Sequence, residues 1–260
     1  MRINSIGIIG FGRFGKFVAA QLNRDFHVYA YSRNLPPSEI KKSNAIPSSL
    51  EDVCSKDVLL IAVPISEMEG VLSSIKGFIG KQTIVVDVCS VKEYPVMLMK
   101  NILPKKTQIL ATHPLFGPDS STRRKIVLCK VRVSNENYSA IKNFLLKKDF
   151  QVIEATPKEH DVQIAKSLLL THLIGRTLAG MGAHKQDIDT LGYNNLINMM
   201  NAVENDSWQL FMDMNINDRF SKKVRMDFMK SLREIEGKLK LYEAKGKNVR
   251  SRHAKNIKNS

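Results

Sequence analysis

Cysteine is scarce in this chain of 260 residues. Cys54, Cys89 and Cys129 are an odd number, widely spaced, with no Cys-x-x-Cys pair. That excludes a disulfide framework and a cysteine zinc site, and it fits a reducing cytoplasm. Long apolar runs are missing as well: no stretch approaches the ~18 to 20 continuous apolar residues that a membrane span needs. Tryptophan occurs once, and no proline follows Pro157. From Lys245 to Ser260 there are six Lys or Arg and no acid, which reads as a solvated, disordered basic tail. Part of the net charge of +15 sits there. No aromatic-rich motif or finger spacing accompanies it, so specific nucleic-acid binding is not expected. The opening Met1-Arg2-Ile3-Asn4-Ser5 runs straight into a strand-like segment, without a signal-peptide layout.

Apolar residues make up 43% of the chain, enough for a real core. The first ~155 residues alternate short apolar runs with amphipathic ones, as a βαβ series does. Expected strands are Ser5–Gly10, His27–Tyr31, Val58–Val63, Thr83–Val88 and Gln108–Thr112, β-branched or aliphatic enough to be buried on both faces of a parallel sheet. Phe14–Asn23, Glu67–Phe78 and Glu93–Leu103 read as connecting helices. Ile126–Val133, Tyr138–Lys148 and Gln151–Glu154 add a strand, a helix and a strand. Thr156-Pro157-Lys158-Glu159 is then a capping box with proline at the first helical position. From there to Ala244 apolar residues recur at helical spacing and no strand is evident. The expectation is an α/β, Rossmann-type, doubly wound parallel sheet over residues 1–155, an all-helical domain over 156–244 and the basic tail over 245–260.

Gly10-Phe11-Gly12-Arg13-Phe14-Gly15 is a G-x-G-x-x-G run between a strand and an amphipathic helix. The order matters physically. The first glycine permits a tight turn, the second a close approach of backbone to a pyrophosphate, and the third close packing of helix on strand. The helix N-terminus offers free N–H groups to phosphate. At the end of the second strand, where an acid would bind the ribose of NAD, the chain reads Tyr31-Ser32-Arg33-Asn34. A hydroxyl and a guanidinium suit a 2′-phosphate, so NADP is expected over NAD. Val63 and Pro64, ending the next strand, are counted with these cofactor-binding positions.

Two further strand ends carry chemistry: Asp87-Val88-Cys89-Ser90-Val91-Lys92 and Thr112-His113-Pro114-Leu115-Phe116-Gly117-Pro118. Carboxyl ends of strands face the crevice of an open α/β sheet, which places Ser90 and His113 near a bound nicotinamide. A histidine there can accept a proton near neutral pH.

These segments resemble the prephenate and arogenate dehydrogenases of tyrosine biosynthesis. The resemblance extends through Glu159-His160-Asp161, Thr171 to Arg176, Gly192-Tyr193 and Glu204-Asn205-Asp206-Ser207, and is nearest to the plant-type arogenate branch. It implies hydride loss from a ring carbinol carbon to the nicotinamide, with loss of carbon dioxide and no metal. It implies His113 as the proton acceptor and Ser90 as the group that binds the same hydroxyl and orients the histidine. Thr112, His172 and Asp206 are then further substrate-binding positions, Asp206 facing an arogenate ammonium. Where many bacterial members carry a carboxylate-binding arginine this chain has Asn198, leaving Lys92, Lys166 and Arg176 as candidates. Arg176 could equally pair with an acid. His27, His160, His184 and His253 read as structural or exposed. A Met-rich apolar helical half predicts a homodimer. Two other readings stay open: a different small NADP-dependent reductase or dehydrogenase on the same fold, and a dinucleotide sensor without turnover.

Overall fold

The computed structural model describes residues 3–118 and 124–258, with side chains described through Lys245. Eight strands form one sheet: β1 (Ser5–Ile9), β2 (His27–Tyr31), β3 (Ile46–Pro47), β4 (Val58–Ile61), β5 (Ile84–Asp87), β6 (Gln108–Pro114), β7 (Lys125–Arg132) and β8 (Gln151–Glu154). Their order is β3-β2-β1-β4-β5-β6-β7-β8. All neighbours are parallel except β6 and β7, which run antiparallel. The expected parallel, doubly wound sheet is therefore present with one reversal. It falls between the end of β6 at Pro114 and the start of β7 at Lys125. The short elements β3, α2 (Pro37–Lys41) and α3 (Leu50–Cys54) were not foreseen, being too short to display a period.

On one face lie α3, α4 (Ile65–Ile75) and α5 (Glu93–Ile102), whose buried Val53, Met68, Leu72 and Met99 pack with Leu59, Ile61 and Val85 of the sheet. The other face carries α1 (Arg13–Leu22) and α6 (Asn135–Lys147). Between those two helices the sheet is covered incompletely. A cavity of about 170 Å³ remains, lined by Phe14, Phe17, Phe116, Phe150, Leu110 and Val86 among others.

The helical part follows as α7 (Pro157–Lys166), α8 (Leu168–Gly180), α9 (Leu191–Glu204), α10 (Trp208–Asn217) and α11 (Ser221–Lys258). The capping box at Thr156 and Glu159 forms as the spacing requires. Ile164 of α7, Leu169 of α8 and Met214 of α10 are buried in the same cluster as α4 and α5, so the helical layer and the sheet share one core. The basic stretch from Lys245 departs from expectation: its backbone continues α11 as helix to Lys258. Lys and Arg are good helix formers, and no proline interrupts them. Of the methionines in the helical half, Met200 and Met214 are buried, whereas Met181, Met212, Met226 and Met229 are exposed. No helix among the described residues is long and apolar enough to cross a membrane.

Candidate active site

The strand order reverses between β1 and β4, and the loops at their carboxyl ends open a cavity of about 690 Å³. Gly10, Phe11, Gly12, Ser32, Arg33, Val63 and Pro64 all line it. Gly10 has φ +93° and its missing Cβ would strike the Ala62 carbonyl at 2.4 Å. A Cβ on Gly15 would meet the Gly10 carbonyl at 2.2 Å, so that position serves the packing of α1 on the turn. Gly12 differs: a Cβ there would meet nothing within 4 Å. The protein keeps this position clear without needing the space itself. Gly12 is also the N-cap of α1, with no side-chain cap and no acid in the first turn, so the helix end is open to an anion. These features fit a dinucleotide pyrophosphate.

The other loop residues separate. Phe14 turns away and lines the apolar cavity on the α1 face. Arg13 reaches the helical layer instead: its guanidinium donates to the Asn205 carbonyl (2.8 Å) and stands 3.9 Å from the Asp206 carboxylate. Arg33 is paired with Glu67, an acid in the first turn of α4 that lines the same cavity. Glu67 escaped the sequence reading because it follows β4, whereas Arg33 follows β2.

The β5–α5 loop is tied down from within. Asp87, at the end of β5, accepts from the Cys89 N–H (3.0 Å) and pairs with the Lys92 ammonium, which also donates to the Thr112 carbonyl (2.6 Å). Both side chains are fully buried. Lys92 is therefore spoken for and cannot bind a substrate carboxylate as considered above. Thr112 is likewise corrected: its hydroxyl donates to the Asp87 carbonyl (2.6 Å), and it lines the apolar cavity on the far face of the sheet. Adjacent residues of a strand point to opposite faces, so Thr112 and His113 cannot serve one site.

His113, one residue on, is 4% exposed. Its Nδ1 lies 2.8 Å from Nε2 of His160 on α7, and Nδ1 of His160 lies 2.7 Å from Asp161 Oδ1. Asp161 in turn accepts from the backbone N–H groups of Lys92 (2.7 Å) and Glu93 (2.8 Å) at the start of α5. His160, expected to be structural or exposed, is buried and joins His113 to Asp161. Its signal was present: the capping box fixes the phase of α7, and with Ile164 buried, His160 and Asp161 turn to the same side. The tautomers follow from the acceptors. A carboxylate accepts only, so His160 Nδ1 carries the hydrogen; its Nε2, when neutral, accepts from His113 Nδ1–H. The nitrogen left bare on His113 is Nε2. Burial pushes both imidazoles below the usual histidine range, His113 well below it, where the adjoining His160 and the Lys92 ammonium further disfavour a second charge.

Ser90 follows β5, the strand paired with β6. It is half-buried and makes no side-chain hydrogen bond among the described residues, so His113 is oriented by His160 rather than by Ser90. His172 is buried on α8, its ring stacked on Phe211 and its Nε2 3.5 Å from Asp206 Oδ2. Arg176 donates to the carbonyls of Asp206 (2.7 Å) and Ser207 (3.2 Å) and lies over the Trp208 ring, so it holds the α9–α10 turn and pairs with no acid among the described residues. Lys166 and Asn198 are exposed, as are His27 and His184; the side chain of His253 lies outside those described. No group of three or more metal-ligating side chains occurs among the described residues.

Residues 27–154 match the family model for the prephenate dehydrogenase nucleotide-binding domain. This stretch, just under half of the chain, belongs to that nucleotide-binding domain family. Residues 177–251 match a second model, described as TYRAAT1-like, C-terminal domain. Among curated relatives, arogenate dehydrogenase 1 (chloroplastic) of Arabidopsis thaliana is 34% identical over 220 residues, which span 79% of this chain and 34% of the relative. Arogenate dehydrogenase 2 (chloroplastic) of the same plant is 32% identical over 223 residues, spanning 79% and 62%. The chain therefore spans about a third and three-fifths of these plant relatives. Among solved structures, the A. aeolicus prephenate dehydrogenase aligns over 100% of this chain and 98% of that one, with TM-score 0.73 and 20% identity. The Synechocystis arogenate dehydrogenase aligns over 90% and 91%, with TM-score 0.65 and 18% identity. At these identities the structural likeness shows the fold.

Proposed function

We propose that the chain is an NADP-dependent dehydrogenase that oxidatively decarboxylates arogenate or prephenate. The observation that carries this is the buried Asp161–His160–His113 relay beside the β5–α5 loop, in a chain whose residues 27–154 match the prephenate dehydrogenase nucleotide-binding domain. In this reading residues 1–155 hold the cofactor, and residues 156–244 contribute substrate contacts and the surface for a homodimer. Unpaired, buried cysteines favour a reducing compartment such as the cytoplasm.

Gly10, Phe11, Gly12, Val63 and Pro64 would hold the dinucleotide, with Ser32 and Arg33 toward a 2′-phosphate. When bound, it supplies the hydride acceptor at its nicotinamide ring. The protein's own task is the proton. His113 Nε2 takes it from the substrate hydroxyl as hydride leaves the same carbon, and Ser90 holds that hydroxyl. His160, backed by Asp161, keeps the bare nitrogen on the correct side of the ring and stabilises the imidazolium once it forms. Carbon dioxide then departs, its bonding electrons entering the ring, which becomes aromatic. His172 and Asp206 bound the substrate from the helical layer. Asp206 carries the side chain we assign to an arogenate ammonium, and its carboxylate is 37% exposed.

Glu67 favours a second reading of the cofactor, because an acid in that cavity can bind ribose hydroxyls as in NAD enzymes. Turnover measured with each substrate against each of NAD and NADP tests both points. The expected result is turnover with NADP preferred and arogenate ahead of prephenate. No turnover in any combination removes the enzymatic reading.

A further inference from the structure

Beyond Lys230 the side chains of α11 stand clear of the body, every residue through Lys245 being exposed. Yet this stretch is not polar all round. Phe228, Leu232, Ile235, Leu239 and Tyr242 recur at alternating steps of four and three residues, a seam with the 3.5-residue period of a coiled coil. On this seam Leu232 is 50% exposed, Ile235 56%, Leu239 54% and Tyr242 74%, so nothing among the described residues covers it. Isolated helices gain little from propensity alone, and such a stripe ordinarily faces a partner.

The charges beside the seam say which partner. Taking Leu232 and Leu239 as a positions and Ile235 and Tyr242 as d, the e positions hold Glu236 and Glu243, and the g positions hold Lys238 and Lys245. One flank is acidic and the other basic. In a parallel pair, g of one helix meets e of the other five residues on, which brings Lys238 against the partner's Glu243 twice. An antiparallel pair would set glutamate against glutamate and lysine against lysine. A helix lying on an anionic surface would hold Glu236 and Glu243 against it. The pattern favours a second copy of this chain in parallel register over either alternative.

We infer that α11 pairs with α11 of a second copy as a parallel, in-register coiled coil over residues 228–245, with Lys238 and Glu243 setting the orientation. This deepens the homodimer reading and is independent of the proposed reaction. It places the twofold axis along α11, with the two sheet domains on the same end of the coil.

Cross-linking of the full chain tests it. Cys54, Cys89 and Cys129 are buried, so an introduced thiol on the seam is the exposed one among the described residues. Leu232→Cys and Leu239→Cys, made separately and oxidised with oxidised glutathione, are each expected to give a covalent dimer linking the residue to its own counterpart, since a positions meet across a parallel pair. An antiparallel pair can bring only one residue number opposite itself, so cross-linking at both excludes it. Lys238→Glu is expected to raise the dimer dissociation constant about tenfold by sedimentation, and Glu243→Lys in the same chain to restore it. A dimer that fails to cross-link at both positions overturns the coil while leaving the homodimer standing. A monomer at micromolar concentration, including one that cosediments with anionic phospholipid vesicles, overturns both.

Discussion

The two faces of the sheet are covered to different standards, and neighbouring residues of β6 show it. His113 points to the face covered by α4, α5 and the helical layer, where it meets His160, Asp161 and the Asp87–Lys92 pair. Thr112 points to the other face, where α1 and α6 leave an apolar cavity walled by phenylalanines. Polar groups are buried where every one of the relay's hydrogen bonds can be met; looseness is tolerated where only dispersion contacts are lost. Buried polar contacts and slack thus lie on opposite sides of one strand.

The largest effect expected from breaking this contrast is at Lys92. Lys92→Met leaves the fully buried Asp87 without its partner, and should cost about 3 to 5 kcal/mol in denaturant unfolding. A loss below about 1 kcal/mol would mean that Asp87 is protonated or hydrated in the fold.

His113→Asn comes next. It should leave cofactor binding intact and lower kcat by at least ~100-fold, read in steady-state assays at saturating cofactor. The acid limb of the wild-type kcat/KM profile should fall below the usual histidine range, because the imidazole must be neutral to act and burial depresses its pKa. A limb at or above 6.5, the ordinary value, would contradict the buried geometry. The same shifts bear on stability. His113 and His160 are neutral in the fold, so their contribution is fully present above 6.5 and is lost as pH falls toward their depressed folded values, where the unfolded chain binds protons first.

His160→Asn should reduce kcat about ten- to a hundredfold, KM for cofactor staying put, and should displace the acid limb. An unchanged limb together with a general loss of thermal stability would make His160 a packing residue only. At the cofactor cavity, Arg33→Asp should weaken NADP preference about 10- to 100-fold in kcat/KM, whereas Glu67→Gln should strengthen it by freeing Arg33. Opposite signs for these two variants sharpen the assignment; equal effects would dissolve it.

The smallest effect belongs to the slack face. Val86→Ile adds a methylene toward the cavity and should stabilise the protein by about 0.5 to 1 kcal/mol without altering kcat. Destabilisation would show that the cavity walls cannot accept the group.

What could be read from the sequence was local. The strand-turn-helix at Gly10 and the helix start at Thr156 each depend on a few adjacent residues and formed where expected, while β5 stops one residue short of the expected Val88 and β6 runs two residues past Thr112 to Pro114. What could not be read was assembled across the chain. His160 meets His113 from another helix, Glu67 meets Arg33 across two strands, and Thr112 was misassigned because strand alternation was not applied within a motif. Arg176 followed the same rule: its partners are carbonyls, which no residue pattern advertises.

Asp161 also has a meaning in the order of assembly. It spans 69 residues to the backbone of Lys92, and so the first turn of α5 is capped by a side chain made long after α5 itself. Closing so large a loop is entropically costly and comes late in folding, after the local strands and helices have formed. Until α7 docks, the sheet can be native in outline while His113 has no fixed tautomer. In the proposed reaction His113 would therefore become a competent base only once α7 has docked.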